Sequence, residues 1–66
     1  MTKLILFDDK SIHIEGYKNI VNMEKNQIRI NCGKKILNIL GKELKIEILT
    51  SIELNIYGKI CNIFWD

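Results

Sequence analysis

Along most of the chain, apolar and polar residues alternate one for one. In residues 11–16, Ile12 and Ile14 share one side and His13 and Glu15 the other. In residues 27–32 the apolar side is Ile28, Ile30 and Cys32, opposed by Gln27, Arg29 and Asn31. Residues 43–48 set Leu44, Ile46 and Ile48 against Glu43, Lys45 and Glu47. Residues 52–57 set Ile52, Leu54 and Ile56 against Glu53, Asn55 and Tyr57. A period of two places successive side chains on opposite faces of an extended chain, so each run predicts a strand with one buried face. Residues 4–7 and 60–65 are apolar on both sides, as a central or doubly covered strand would be. Residues 36–40 form a less regular run, and a weaker extended piece spans residues 19–23.

Turn-forming residues separate these runs: Asp8-Asp9-Lys10, Gly16, Lys25-Asn26, Gly33-Lys34-Lys35, Gly41-Lys42, Thr50-Ser51 and Gly58-Lys59. Connections this short favour hairpins, so neighbouring strands should pair antiparallel. The expectation is a single all-β domain over residues 1–66, a meander of seven or eight short, mostly antiparallel strands. An open sheet, a small barrel and a stacked coil all satisfy the pattern. A helix over residues 36–49 is the competing assignment, because Ile36, Leu40, Leu44 and Ile48 lie four apart. Gly41 in its middle and the strict alternation after it argue for strands instead. Ile39-Leu40-Gly41-Lys42 is echoed 17 positions later by Ile56-Tyr57-Gly58-Lys59, and Gly16 and Gly33 are also 17 apart. In so biased a composition the echo reads as coincidence rather than as a repeat.

Composition sharpens this picture. Of 66 residues, 14 are Ile, and Ala, the best helix former, is absent. The longest unbroken apolar run, residues 4–7, is far below the roughly 20 residues of a spanning helix. The N-terminus has no signal-peptide pattern, so a soluble intracellular protein is expected. Cys32 and Cys61 lie 29 positions apart, without metal-ligand spacing, and read as reduced thiols. A domain this small buries a modest share of its surface, which favours burying some of it against another chain.

The run Ile14-Glu15-Gly16-Tyr17-Lys18-Asn19-Ile20 resembles the Ile-Glu-Asn-His-Arg/Lys-Gly-Ile segment of the YabP/YqfC family of small sporulation proteins. Leu37, Ile39, Gly41, Leu44 and Ile46 are similar to that family's Leu-x-Ile-x-Gly-x-x-Leu/Phe-x-Ile pattern. The spacing continues through Leu49, Glu53, Leu54, Ile56, Gly58, Ile60 and Ile63 to Phe64. Four positions depart from the pattern: Lys35 stands where the family often has Gly, Gly16 and Asn19 are exchanged, and Tyr17 replaces the usual His. The resemblance implies a role in endospore formation in the mother-cell cytoplasm, assembling the spore envelope or supporting a membrane-anchored sporulation partner. It carries over no catalytic residues and no cofactor.

Individual residues add little chemistry of their own. His13, the only histidine, reads as a strand residue facing solvent, with no local motif to make it a base or a ligand. Asp8 and Asp9 lack the further oxygen donors of a metal loop and read as a turn. Gly33-Lys34-Lys35 lacks the rest of a phosphate loop and reads as a hairpin turn. No catalytic constellation is visible, so an enzyme is not expected. The rival function is a small nucleic-acid-binding β-barrel whose aromatics stack on bases. A net charge of +2, with acids interleaved through the strands, gives no continuous positive track for it. Tyr17, Tyr57, Phe64 and Trp65 are therefore read as core or interface anchors, with a protein partner the preferred destination. The edges of a meander without proline leave amides unpaired, which points to a homo-oligomer joined through sheet edges.

Overall fold

The computed structural model of the chain describes residues 2–8 and 10–66, so Asp9 of the first turn lies outside the described residues. Six strands form: β1 (Lys3–Phe7), β2 (Ser11–Glu15), β3 (Asn19–Met23), β4 (Gln27–Asn31), β5 (Ile36–Ile48) and β6 (Glu53–Trp65). They make one open sheet in the order β1-β2-β6-β5-β4-β3, with every neighbouring pair antiparallel. Among the described residues there is no helix, and residues 36–48 form one strand interrupted by a bulge.

The strand count is lower than the sequence suggests because two of the expected turns are bulges. Gly41-Lys42 and Gly58-Lys59 lie inside β5 and β6, facing each other across the long hairpin, where Lys42 pairs with Lys59. The register slips on both sides of this pair, between Leu40 and Gly41 and between Lys42 and Lys45. An extra residue in one strand bends it and deepens its twist. Glycine is needed there for room. A Cβ on Gly41 would lie 2.1 Å from the Lys59 carbonyl oxygen, and one on Gly58 would lie 2.6 Å from that of Glu43. Turn and bulge draw on the same residue, so the sequence pattern does not separate them.

The bend folds the sheet over. Thirteen residues of straight strand would run roughly 40 Å, whereas the longest dimension of the molecule is 26 Å. In one half, β2 pairs with the first part of β6, aligning Ile12 with Ile56 and Ile14 with Leu54. In the other, β4 pairs with the first part of β5, aligning Ile28 with Ile39 and Ile30 with Leu37. All eight of these side chains are fully buried in one cluster. With no second layer among the described residues, the two half-sheets bury each other's apolar faces. Each fully buried Ile or Leu contributes about 1.5–3 kcal/mol to that closure.

The two halves are related by a quasi-two-fold. Lys3 pairs with Glu15 as Asn19 pairs with Asn31, a shift of 16 positions. Leu37 pairs with Trp65 as Leu54 pairs with Ile48, a shift of 17. The loops follow suit: Gly41 N–H donates to the Asn26 carbonyl at 3.1 Å, and Gly58 N–H to the Lys10 carbonyl at 3.0 Å. The 17-residue echo is thus structural, and reading it as coincidence is corrected. The echoed segments lie in β5 and β6, which take equivalent places in the sheet, and the hairpins β1-β2 and β3-β4 are equivalent to each other.

Candidate interaction surface

At either end of the sheet order stands an edge strand. β1 and β3 each pair on one side only, and so do residues 60–65 of β6 and residues 45–48 of β5 beyond the bend. The two-sided greasiness of residues 4–7 marks this edge rather than a covered strand. Leu6 and Phe7 are 54% and 55% exposed. Residues 60–65 are likewise an edge, not a doubly covered strand.

Between the rim of β1 and the last part of β6 opens a groove of about 420 Å³, lined by Leu6, Asp8, Ile60, Cys61, Asn62 and Ile63. No Cα of β1 comes within 8 Å of one in β6, so these strands stand farther apart than the about 4.8 Å of paired neighbours. The quasi-two-fold relates the two edges of this mouth to those of β3 and the last part of β5, which likewise pair on one side only. There Met23 and Ile48 lie exposed. That the sheet has open edges is expected from the sequence, but which strands form them is not, because pairing partners, unlike alternation, are not written in local sequence.

The four aromatic candidates do not gather into one patch. Tyr17 is buried in the core at 8% exposure, so its ring is not available to a partner. Tyr57, Phe64 and Trp65 are 40–45% exposed. Trp65 aligns with buried Leu37 and sits on the inward rim of the edge, whereas Phe64 aligns with Asn38 on the outer side. Tyr57 lies on the outer side of the other half, between Ser11 and Lys45 in register. Its hydroxyl donates to Glu47 Oε1 at 3.0 Å.

That outer face also holds a polar cluster. His13 and Glu15 of β2 meet Glu53 and Asn55 of β6 through the register of the two strands. His13 Nδ1 stands 2.6 Å from Asn55 Oδ1, and Nε2 stands 3.1 Å from Glu15 Oε1 and 3.8 Å from Glu53 Oε2. The hydrogen bonds with Asn55 and then Glu15, helped by the charges of Glu15 and Glu53, raise the His13 pKa above 6.5 against the opposing effect of burial. His13, Glu15 and Glu53 are the residues whose donor atoms converge closely enough to hold a metal ion among those described. The alternation places His13 and Glu15 together, but Glu53 and Asn55 arrive from 40 residues away.

Elsewhere the turns behave as their residues suggest. Lys10 N–H donates to Asp8 Oδ1 at 2.7 Å, and Cys32 N–H to the Lys35 carbonyl at 2.9 Å across the Gly33-Lys34-Lys35 turn. Cys32 and Cys61 are free thiols, and burial pushes the Cys32 thiol up. No helix among the described residues is long and apolar enough to cross a membrane.

No curated protein and no solved structure matches the chain. The model of the YabP family matches it over residues 1–66, from end to end. The resemblance carried by the strand at residue 37, the bulge glycines and the spacing between them therefore reflects common descent: the chain belongs to the YabP family.

Proposed function

We propose that this protein is a non-catalytic assembly factor of spore formation that joins copies of itself, or a partner, through its open sheet edges. Membership of the YabP family supports the sporulation setting. The mother-cell cytoplasm as its place, and a membrane-anchored sporulation protein as a partner, are parts of the same proposal. The observation that carries the mode of action is the open groove beside β1 together with the equivalent one-sided edges of β3 and β5. Each place has exposed apolar side chains, Leu6 and Phe7 at one and Met23 and Ile48 at the other. Edge strands of this kind accept a further strand by main-chain hydrogen bonding, with the side chains adding selectivity.

Two such sets of edges on one molecule allow head-to-tail growth rather than a closed pair alone. The nucleic-acid alternative gains little from the exposed aromatics, because they lie on different faces and Tyr57 is tied to a carboxylate. Light scattering from about 10 to 500 µM protein tests the proposal. Mass should rise with concentration, and Leu6→Lys with Met23→Lys should return it to that of one chain. A monomer across the whole range, with no strand-like partner retained from a sporulating extract, sinks the idea.

A further inference from the structure

We propose that His13, Glu15 and Glu53 form a zinc site on the outer face of the sheet. Its donors are one imidazole nitrogen and two carboxylate oxygens, a set that suits a borderline cation. The spacing fits. Two donors held about 2.0–2.2 Å from zinc at tetrahedral angles stand roughly 3.3–3.6 Å apart. Here Nε2 is 3.1 Å from Glu15 Oε1 and 3.8 Å from Glu53 Oε2, and all three donor atoms lie within 4.8 Å of one another.

The reason to place a cation there comes from Asn55, which is not one of the ligands. Its amide nitrogen donates to the Tyr57 hydroxyl at 3.1 Å and to Glu47 Oε1 at 3.3 Å. Its Oδ1 is thereby turned to His13 Nδ1 and can only accept, so Nδ1 carries the ring proton. Whenever the ring is neutral, the lone pair of Nε2 faces two carboxylates, which also offer only lone pairs, so either a proton or a metal ion must supply the positive charge between them. Three acceptors converge on one point that needs positive charge. An imidazole whose far nitrogen is fixed by an amide or carboxylate oxygen is the usual arrangement around bound zinc.

The quasi-two-fold supplies an independent comparison. In the other half, Arg29 stands where His13 stands here, and Asn38 where Asn55 does. Arg29 Nε donates to Asn38 Oδ1 at 2.9 Å and its Nη2 to Asp66 Oδ2 at 2.9 Å. That half carries its positive charge covalently, whereas the half with His13 has only a titratable ring facing its two acids. Lys3, the register neighbour of Glu15, makes no ion pair with it among the described residues. A bound ion would tie β2 to β6 and leave one coordination position to water.

With a single histidine in the chain, one imidazole resonance pair reports the test. Chelator-stripped protein is titrated with zinc chloride in a non-coordinating buffer and followed by nitrogen-correlated imidazole NMR and by calorimetry. We expect one ion per chain and a shift of the Nε2 resonance while Nδ1 keeps its proton. Asn55→Ala should weaken binding about 10- to 100-fold, and Glu53→Gln by at least as much. Addition of cobalt should give bands without thiolate charge transfer, which separates this site from Cys32 and Cys61. An unmoved Nε2 resonance in millimolar zinc overturns the proposal, as does binding that survives Glu53→Gln but is lost on thiol alkylation. The wild-type spectrum alone decides the matter if a variant fails to fold.

Discussion

Asn38 is the polar side chain most deeply buried among the described residues, at 2% exposure. A buried amide is tolerated only when its hydrogen-bonding capacity is met. Arg29 Nε donates to its Oδ1 at 2.9 Å, and its own Nδ2 reaches the Ile36 carbonyl at 3.4 Å. Arg29→Ala strips the stronger of these bonds and should cost about 1–3 kcal/mol in urea unfolding. A loss below about 0.5 kcal/mol would mean that water replaces the guanidinium freely. His13 offers a second test at this scale, made with a chelator present. Its pKa is raised on folding, chiefly by Asn55 and then Glu15. The associated stability is fully present below the unfolded value near 6.5 and fades as pH climbs through the higher folded value. The unfolding midpoint should therefore fall as pH rises from about 6.5 through the higher folded value, and His13→Gln should flatten that slope. An unchanged slope in the variant would assign the pH effect elsewhere. Neither pairing was legible in the sequence. Alternation tells which side of a strand Arg29 and His13 occupy, but not which strand lies beside it.

Among the elements, the long hairpin decides the shape. Its bend depends on Gly41 and Gly58, each facing a backbone carbonyl where a Cβ would sit. Gly41→Ala must push the two strands apart at the bulge and should cost well over about 1 kcal/mol. Glu43 occupies the same bulge with a φ of 52°, a left-handed conformation costing roughly 1–2 kcal/mol for a residue with a side chain. Glu43→Gly should raise the thermal midpoint by a few degrees, less what glycine loses in flexibility. A lowered midpoint would place an unseen role on the Glu43 side chain. The strands themselves were readable: each of the eight predicted runs falls on an observed strand, with only Gly16, Cys32 and Ile52 just beyond its ends, because a period of two is a local property. What misled was Gly-Lys at positions 41–42 and 58–59, since a glycine that permits a bulge looks the same as one that permits a turn. The greasy residues 4–7 misled for a related reason. Apolar side chains on both faces serve a covered strand and an adhesive edge alike.

At the scale of the whole molecule, the quasi-two-fold organises everything else. It sets Ile12 and Ile14 against Ile56 and Leu54 in one half, and Ile28 and Ile30 against Ile39 and Leu37 in the other. It also duplicates the open edges on which the proposed assembly rests. The 17-residue spacing between Gly41 and Gly58 was the visible trace of this relation, but its meaning needed the register. The first pair of units is offset by 16 positions and the second by 17. A slip of one residue between the two kinds of unit blurs a repeat that short beyond recognition by eye.

Because β5 and β6 each run through both halves, neither half owns a complete set of strands. Melting one of them would unzip the other's fastening at the same moment. Native-state hydrogen exchange should accordingly find no softer lobe: the amides of Ile14 and Ile30 ought to open together, in one event that is the unfolding of the entire chain. A difference beyond tenfold between those two rates would reveal a seam. For a chain this short, such indivisibility leaves no partly melted form with half its isoleucines bare, and so keeps the sticky rims to the two places where the native fold exhibits them.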